Sequence, residues 1–158
     1  MAGKPQMGIF QQPAKTLNQG EIMACVSSKG AYGLAAMLYL AQHADKLIQI
    51  RDIAKNGGIP QNYLEQLLVQ LKKNGFVEST RGAGGGYRLA MEPKDITIYQ
   101  ILEALEGELC ANRYDVDNKA LEFFWDDIRR KIQEVFGQTL ADLVDLSEKM
   151  ESNTMYYI

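Results

Sequence analysis

PQNYLEQLLVQLKKNG, residues 60–75, decides how the rest of the chain is read. Leu64, Leu67, Leu68 and Leu71 recur at i, i+3, i+4 and i+7, which puts four leucines on one face of a helix. Asn62, Glu65, Gln66, Gln70, Lys72 and Lys73 fall largely elsewhere, on a wet face able to donate and accept hydrogen bonds. Pro60 suits the helix start, where a missing N–H costs nothing, and Gly75 suits the exit, where a left-handed residue is wanted. Just upstream, QIRDIAKNGGIP reads as a short helix that carries Ile50, Ile53 and Ala54 inward and is broken by Gly57 and Gly58. Helix, tight glycine turn and amphipathic helix with a polar outer face form the helix-turn-helix pattern. Downstream, Phe76–Thr80 and Tyr87–Leu89 are short β-type runs around Arg81-Gly82-Ala83-Gly84-Gly85-Gly86, a hairpin with a cation at its root. The expected fold is therefore mostly α with a small β-hairpin wing (α+β), a winged helix-turn-helix domain followed by a long C-terminal helix.

Towards the N-terminus, Ser27-Ser28-Lys29-Gly30 opens a helix running to about His43. Its inner stripe is read as Tyr32, Ala35, Ala36, Tyr39 and Leu40, and Leu34, Met37 and Leu38 make it apolar nearly all round, as a central helix should be. Either serine suits the N-cap. Hydroxyls, free N–H groups and Lys29 at a helix start also suit a backbone phosphate, and capping explains the serines equally well. His43, the only histidine, has no nucleophile or carboxylate proposed beside it and reads as a surface residue near a helix end. Residues 1–22 lack periodicity and are read as a disordered leader or tag, with Met23 the natural first residue.

Towards the C-terminus, ITIYQILEALEG places Ile98, Ile101, Leu102 and Leu105 on one stripe that closes the winged helix from behind. Residues 107–118 are polar and irregular. From Lys119 to about Phe136 a long helix carries Leu121, Trp125, Ile128, Ile132 and Val135 at spacings of 4, 3, 4 and 3, the a/d seam of a coiled coil, widened by Phe124 and Phe136. Such a seam needs cover. A second copy is the simplest supplier, and a symmetric dimer matches a palindromic DNA site; packing back on its own domain is the alternative. Gly137 stops this helix, Thr139 and Asp142 form a capping-box-like start, and Leu140, Leu143, Val144 and Leu146 line a short final helix. The expected division is a leader at 1–22, a winged-helix domain at 23–107, and dimerisation helices with a tail at 108–158.

The totals agree. At 158 residues, 46% hydrophobic and 23% charged, the composition is that of an ordinary soluble protein. No apolar run approaches the roughly 20 residues of a membrane helix, and no signal-peptide block occurs in residues 1–22, so no membrane association and a cytoplasmic location are expected. Two cysteines, Cys25 and Cys110, make no disulfide scaffold. The net charge of −3 is unevenly spread: eight Lys/Arg stand against five Asp/Glu over residues 27–92, and seven against fourteen over 93–158. A basic winged helix joined to an acidic segment fits a DNA reader with a partner-facing part. No metal-ligand spacing, nucleophile–base pair or P-loop is present, so no catalysis is expected. Two rivals stand beside DNA binding: a protein-binding winged helix, and a redox or metal sensor using Cys25 and Cys110.

SSKGAYGLAAMLYLA, NYLEQLLVQLKKNGFVESTRGAGGGYRLA and ITIYQILEALEG closely resemble the Rrf-two family of bacterial winged-helix transcriptional regulators, strongly over about Val26–Leu109 and more loosely beyond. Ala31 stands where many relatives carry arginine. The resemblance implies that Asn62, Tyr63 and Glu65 face the major groove, where Asn62 suits adenine and Glu65 a cytosine N4 amine. For Tyr63, core packing is the alternative. Arg81 is expected in the adjacent minor groove, with Gly84, Gly85 and Gly86 permitting close approach, and Ser27, Ser28, Lys29, Gln66 and Lys73 are the phosphate candidates. Cluster-bearing members hold iron–sulfur with several cysteines between the rear helices; that segment offers only Cys110 and no histidine here, so no cofactor and no iron–sulfur cluster is expected. Among cluster-free members, the acidic C-terminal half and the ending MYYI most resemble the repressor of cysteine-metabolism genes. That likeness implies a further partner, cysteine synthase, whose pocket Tyr157 and the carboxylate of Ile158 would enter, unless the ending packs on the dimer helices instead.

Overall fold

The computed structural model describes residues 26–109 and 117–154. Expectations for residues 1–22, Cys25, Cys110, Tyr157 and Ile158 fall outside them. α1 (Ser28–Gln42) is the central helix, and α2 (Ile50–Gly57) and α3 (Gln61–Lys73) form the helix-turn-helix. Leu64, Leu67, Leu68 and Leu71 are all buried, as their spacing requires. Gly58, at φ +60°, makes the turn, and Ile59 N–H donates to the Ala54 carbonyl. Gly57, read as part of the break, is still helical. α3 ends at Gly75, φ +80°, whose N–H donates to Lys72 O while Phe76 N–H donates to Leu71 O. This pair of bonds is a Schellman closure, which satisfies carbonyls the helix leaves open.

The wing is β1 (Val77–Thr80) against β2 (Gly86–Leu89), antiparallel in the register Val77↔Leu89, Glu78↔Arg88, Ser79↔Tyr87 and Thr80↔Gly86. Ile48 adds a third, unanticipated rung by exchanging two 2.8 Å bonds with Tyr87. After a 3-10 turn (Pro93–Asp95), α4 (Ile98–Glu106) starts with a reciprocal Thr97–Gln100 capping box. α5 (Lys119–Val135) is capped by Asn118, and α6 (Leu140–Thr154) follows.

Two features of the interior differ from the sequence reading. The buried stripe of α1 is Gly33, Ala36, Met37, Leu40 and Ala41, whereas Tyr32, Ala35 and Tyr39 are only half-buried. A helix apolar on nearly every side gives no unique inner face, and the neighbours that pack on it select one. The division at 107/108 is not a packing boundary either. Ile98 N–H donates to Gln138 O, Tyr99 N–H to Phe136 O and Leu140 N–H to Ile96 O, at 2.8–2.9 Å. These bonds lay the start of α6 beside the start of α4, where Leu140 is wholly buried in the main core and Val144 packs on it. Only α5 stands off the body. It buries no residue among those described, and its C-terminal end is anchored by Ile132, with the following Phe136, against Ile98, Leu102 and Leu109.

Candidate nucleic-acid interface

With the leucines of α3 turned inward, Asn62, Glu65, Gln66, Val69, Lys72 and Lys73 form an exposed ridge on the opposite side. Among the described residues, the side chains of Asn62, Glu65 and Gln66 make no intramolecular hydrogen bond, so their donors and acceptors are free to exchange water for base edges. Gln70, grouped with the wet face from sequence, is turned inward: its Nε2 donates to Ala104 O at 2.7 Å, tying α3 to the end of α4. Tyr63 is half-buried, its ring edge-on to Tyr32 at 6.0 Å, so core packing takes much of a side chain expected in the groove.

The wing stands beside this ridge. A groove of about 640 Å³ separates it from α3 and the start of α2, lined among others by Gln49, Val69, Lys72, Ser79 and Arg81. Lys72 Nζ donates to Ser79 Oγ at 2.6 Å, pinning the hairpin to the helix, and Glu78 pairs with Arg88 across the strands. Arg81 is exposed and has no ion pair among the described residues, which leaves its guanidinium free for an anion or a narrow groove. The glycines of the loop have a second reason to be there. A Cβ on Gly85 would collide with Thr80 O, so hairpin closure forbids a side chain there, and one on Gly86 would lie 2.6 Å from Ile48 O, so the added Ile48 rung forbids one there. Gly84 faces open space.

At the start of α1 the structure shows a contact the sequence concealed. Ser27 N–H, Ser27 Oγ and Gly30 N–H all donate to Glu106 Oε1, at 3.0, 2.7 and 2.9 Å. Ser27 Oγ in turn accepts from Lys29 N–H, making Ser27 the N-cap. A carboxylate from the end of α4 thus occupies the positive end of α1. A Cβ at Gly30 would sit 2.6 Å from Glu106 Oε1, so any larger residue there would have to push this carboxylate aside. A DNA phosphate at Ser27 would have to displace this carboxylate. Ser28, exposed, and Lys29, half-buried, keep side chains without such a bond.

The proposed seam of α5 divides. Phe124 (50% exposed), Val135 (69%) and Leu121 are open, Trp125 and Ile128 are half-buried with Trp125 edge-on to Phe124, and Ile132 packs on its own body. No described helix is long and apolar enough to cross a membrane. No group of three or more His, Cys, Asp or Glu side chains among the described residues is placed to hold a metal ion, and His43 Nδ1 lies 2.8 Å from Tyr39 O. The whole sequence holds two cysteines, too few for the four thiolates an iron–sulfur cluster ordinarily takes within one chain.

A winged helix-turn-helix with an exposed polar ridge and an unpaired arginine at the wing root is the architecture shared by many DNA-binding transcriptional regulators. The Rrf2 family model, described as an iron-dependent transcriptional regulator, matches residues 26–146, and the chain belongs to that family. It is 37% identical over 136 residues to the HTH-type transcriptional regulator CymR of Bacillus subtilis, covering 84% of this chain and 99% of that protein. The solved structure of CymR, the global cysteine regulator of B. subtilis, superposes with a TM-score of 0.68 at 37% identity, over 77% of this chain and 96% of that one. The T. potens IscR structure gives 0.67 at 38%, over 79% and 89%. These relatives are regulators rather than enzymes, and so is this chain.

Proposed function

We propose that the protein is a homodimeric cytoplasmic repressor that binds a palindromic operator, controls cysteine and sulfur metabolism, and works without an iron–sulfur cluster. The observation that carries the DNA-binding reading is the exposed ridge of Asn62, Glu65 and Gln66 beside the unpaired Arg81. Asn62 offers a bidentate donor–acceptor pair to adenine and Glu65 an acceptor to a cytosine N4 amine, while Ser28, Lys29, Gln66 and Lys73 meet phosphates. The open apolar stripe of α5 supports self-association, since two copies would cover Leu121, Phe124 and Val135 and set two ridges a fixed distance apart. The similarity to the global cysteine regulator of B. subtilis supports the choice of regulon. The segment between the rear helices offers Cys110 alone and no histidine, which speaks against a resident cluster, and a colourless preparation free of iron and sulfide is the expected result.

Footprinting across the genome tests the reading. Palindromes upstream of sulfur-uptake and cysteine-synthesis genes are expected, and sites upstream of cluster-assembly genes would move the protein to another branch of the family. Cysteine synthase is proposed as a further partner, docking on the side chains of Tyr157 and Ile158. Deletion of Ile158 should then abolish binding to that enzyme, and unchanged affinity rules the docking out.

A further inference from the structure

Among the exposed positions of α3, Val69 alone is apolar. It is 66% exposed, and the inner stripe of the helix is complete without it, since Leu64, Leu67, Leu68 and Leu71 fill the core side. Val69 follows Asn62, Glu65 and Gln66 at helical spacing along the same ridge, and it lines the groove facing the wing. Cations flank it: Lys72 and Lys73 lie beyond it on the helix, and Arg81 shares the groove. A protein surface apolar enough to cover Val69 would strip water from those charges with nothing to offset the loss. A duplex suits both demands. Its phosphates meet the cations at the rim, and its major-groove floor carries one apolar group among the four bases, the C5-methyl of thymine.

We infer that Val69 is a specificity-determining residue that packs on the C5-methyl of a thymine in each half of the bound duplex. The inference rests on the DNA-binding reading above and adds a base preference to it. An apolar contact at this position favours thymine over cytosine by burying the methyl group, and it separates thymine from uracil, which pairs identically but lacks the methyl. The same methyl occurs on 5-methylcytosine, so the test must distinguish the two sources.

Duplexes selected from a random pool by the full-length chain supply the probe. Each thymine of the selected sequence is then replaced by deoxyuridine, and affinity is measured at fixed salt for the wild type and for Val69→Ala. One position per half-site is expected at which uracil weakens the wild type about four-fold, the factor that burial of one methyl group gives. Val69→Ala should bind the thymine duplex correspondingly less well and be indifferent to uracil there. Alanine keeps the helix, and an unchanged melting temperature checks that it does. Uracil effects identical in both proteins, or none at any position, overturn the contact. So does a gain in affinity on cytosine methylation with no uracil-sensitive position. A chain that enriches no duplex at all overturns the DNA-binding reading as well, whereas an enriched duplex without a Val69-dependent uracil effect overturns the methyl contact alone.

Discussion

Arg81 and Glu106 stand for two roles of a single side chain around the proposed interface, one proposed to reach outward to DNA and one holding the first turn of α1 in place. Arg81 is solvated and unpaired, so whatever it gives to DNA it gives as a charge. Arg81→Ala should weaken operator binding and lower the slope of log affinity against log salt by about one, the counterion share of one phosphate-type contact. A salt titration of both proteins decides it, and equal slopes at equal affinity would remove the wing from the interface. Glu106 receives three hydrogen bonds on one oxygen from the first turn of α1. Glu106→Ala leaves those donors to water and the helix end without its counter-charge. The expected cost is about 1–2 kcal/mol of stability, read from denaturant midpoints at constant m-value.

At the scale of elements, capping decides where helices begin. The α6 start is held by Thr139 and Asp142 in reciprocal bonds: Thr139 N–H and Oγ donate to Asp142 Oδ2, each at 2.8 Å, and Asp142 N–H donates to Thr139 Oγ at 3.2 Å. The Thr139 backbone N–H first, and its hydroxyl second, hold the Asp142 carboxyl below its ordinary value of 3.8, against a small opposing desolvation. The folded chain therefore binds this proton less readily than the unfolded chain. Its contribution to stability is complete above 3.8 and is lost as pH falls through the lowered folded value. Wild type should exceed Asp142→Asn in thermal stability at neutral pH, and the gap should close on acidification. A gap that persists in strong acid would mean that the charge is irrelevant to the cap.

For the whole molecule, the open question of cover concerns α5. Leu121, Phe124 and Val135 lie exposed along a helix that buries nothing of its own, while its far end is anchored through Ile132. Exposed apolar side chains along one helix suit the proposed self-association. Phe124→Asp combined with Leu121→Asp should give a monomer of unchanged helix content by sedimentation and circular dichroism. Operator affinity should fall with it, because two half-sites are then bound independently. A double variant that stays dimeric places the interface elsewhere.

Much of this architecture is legible in the sequence, and for a local reason. The leucine spacing of α3, the glycines that reverse the chain at Gly58 and Gly75, and the order of helix, turn, helix and hairpin follow from stereochemistry within a few residues. So did the candidates on the ridge, since residues opposite a buried stripe must face out. Tertiary structure alone decided the rest. It brought Glu106 to Ser27 across 79 positions, turned Gln70 inward on to Ala104, added Ile48 to the wing, and folded the start of α6 back beside α4. A periodic pattern tells which face of a helix avoids water, but only the packed molecule chooses the surface that covers it, because apolar burial carries no address.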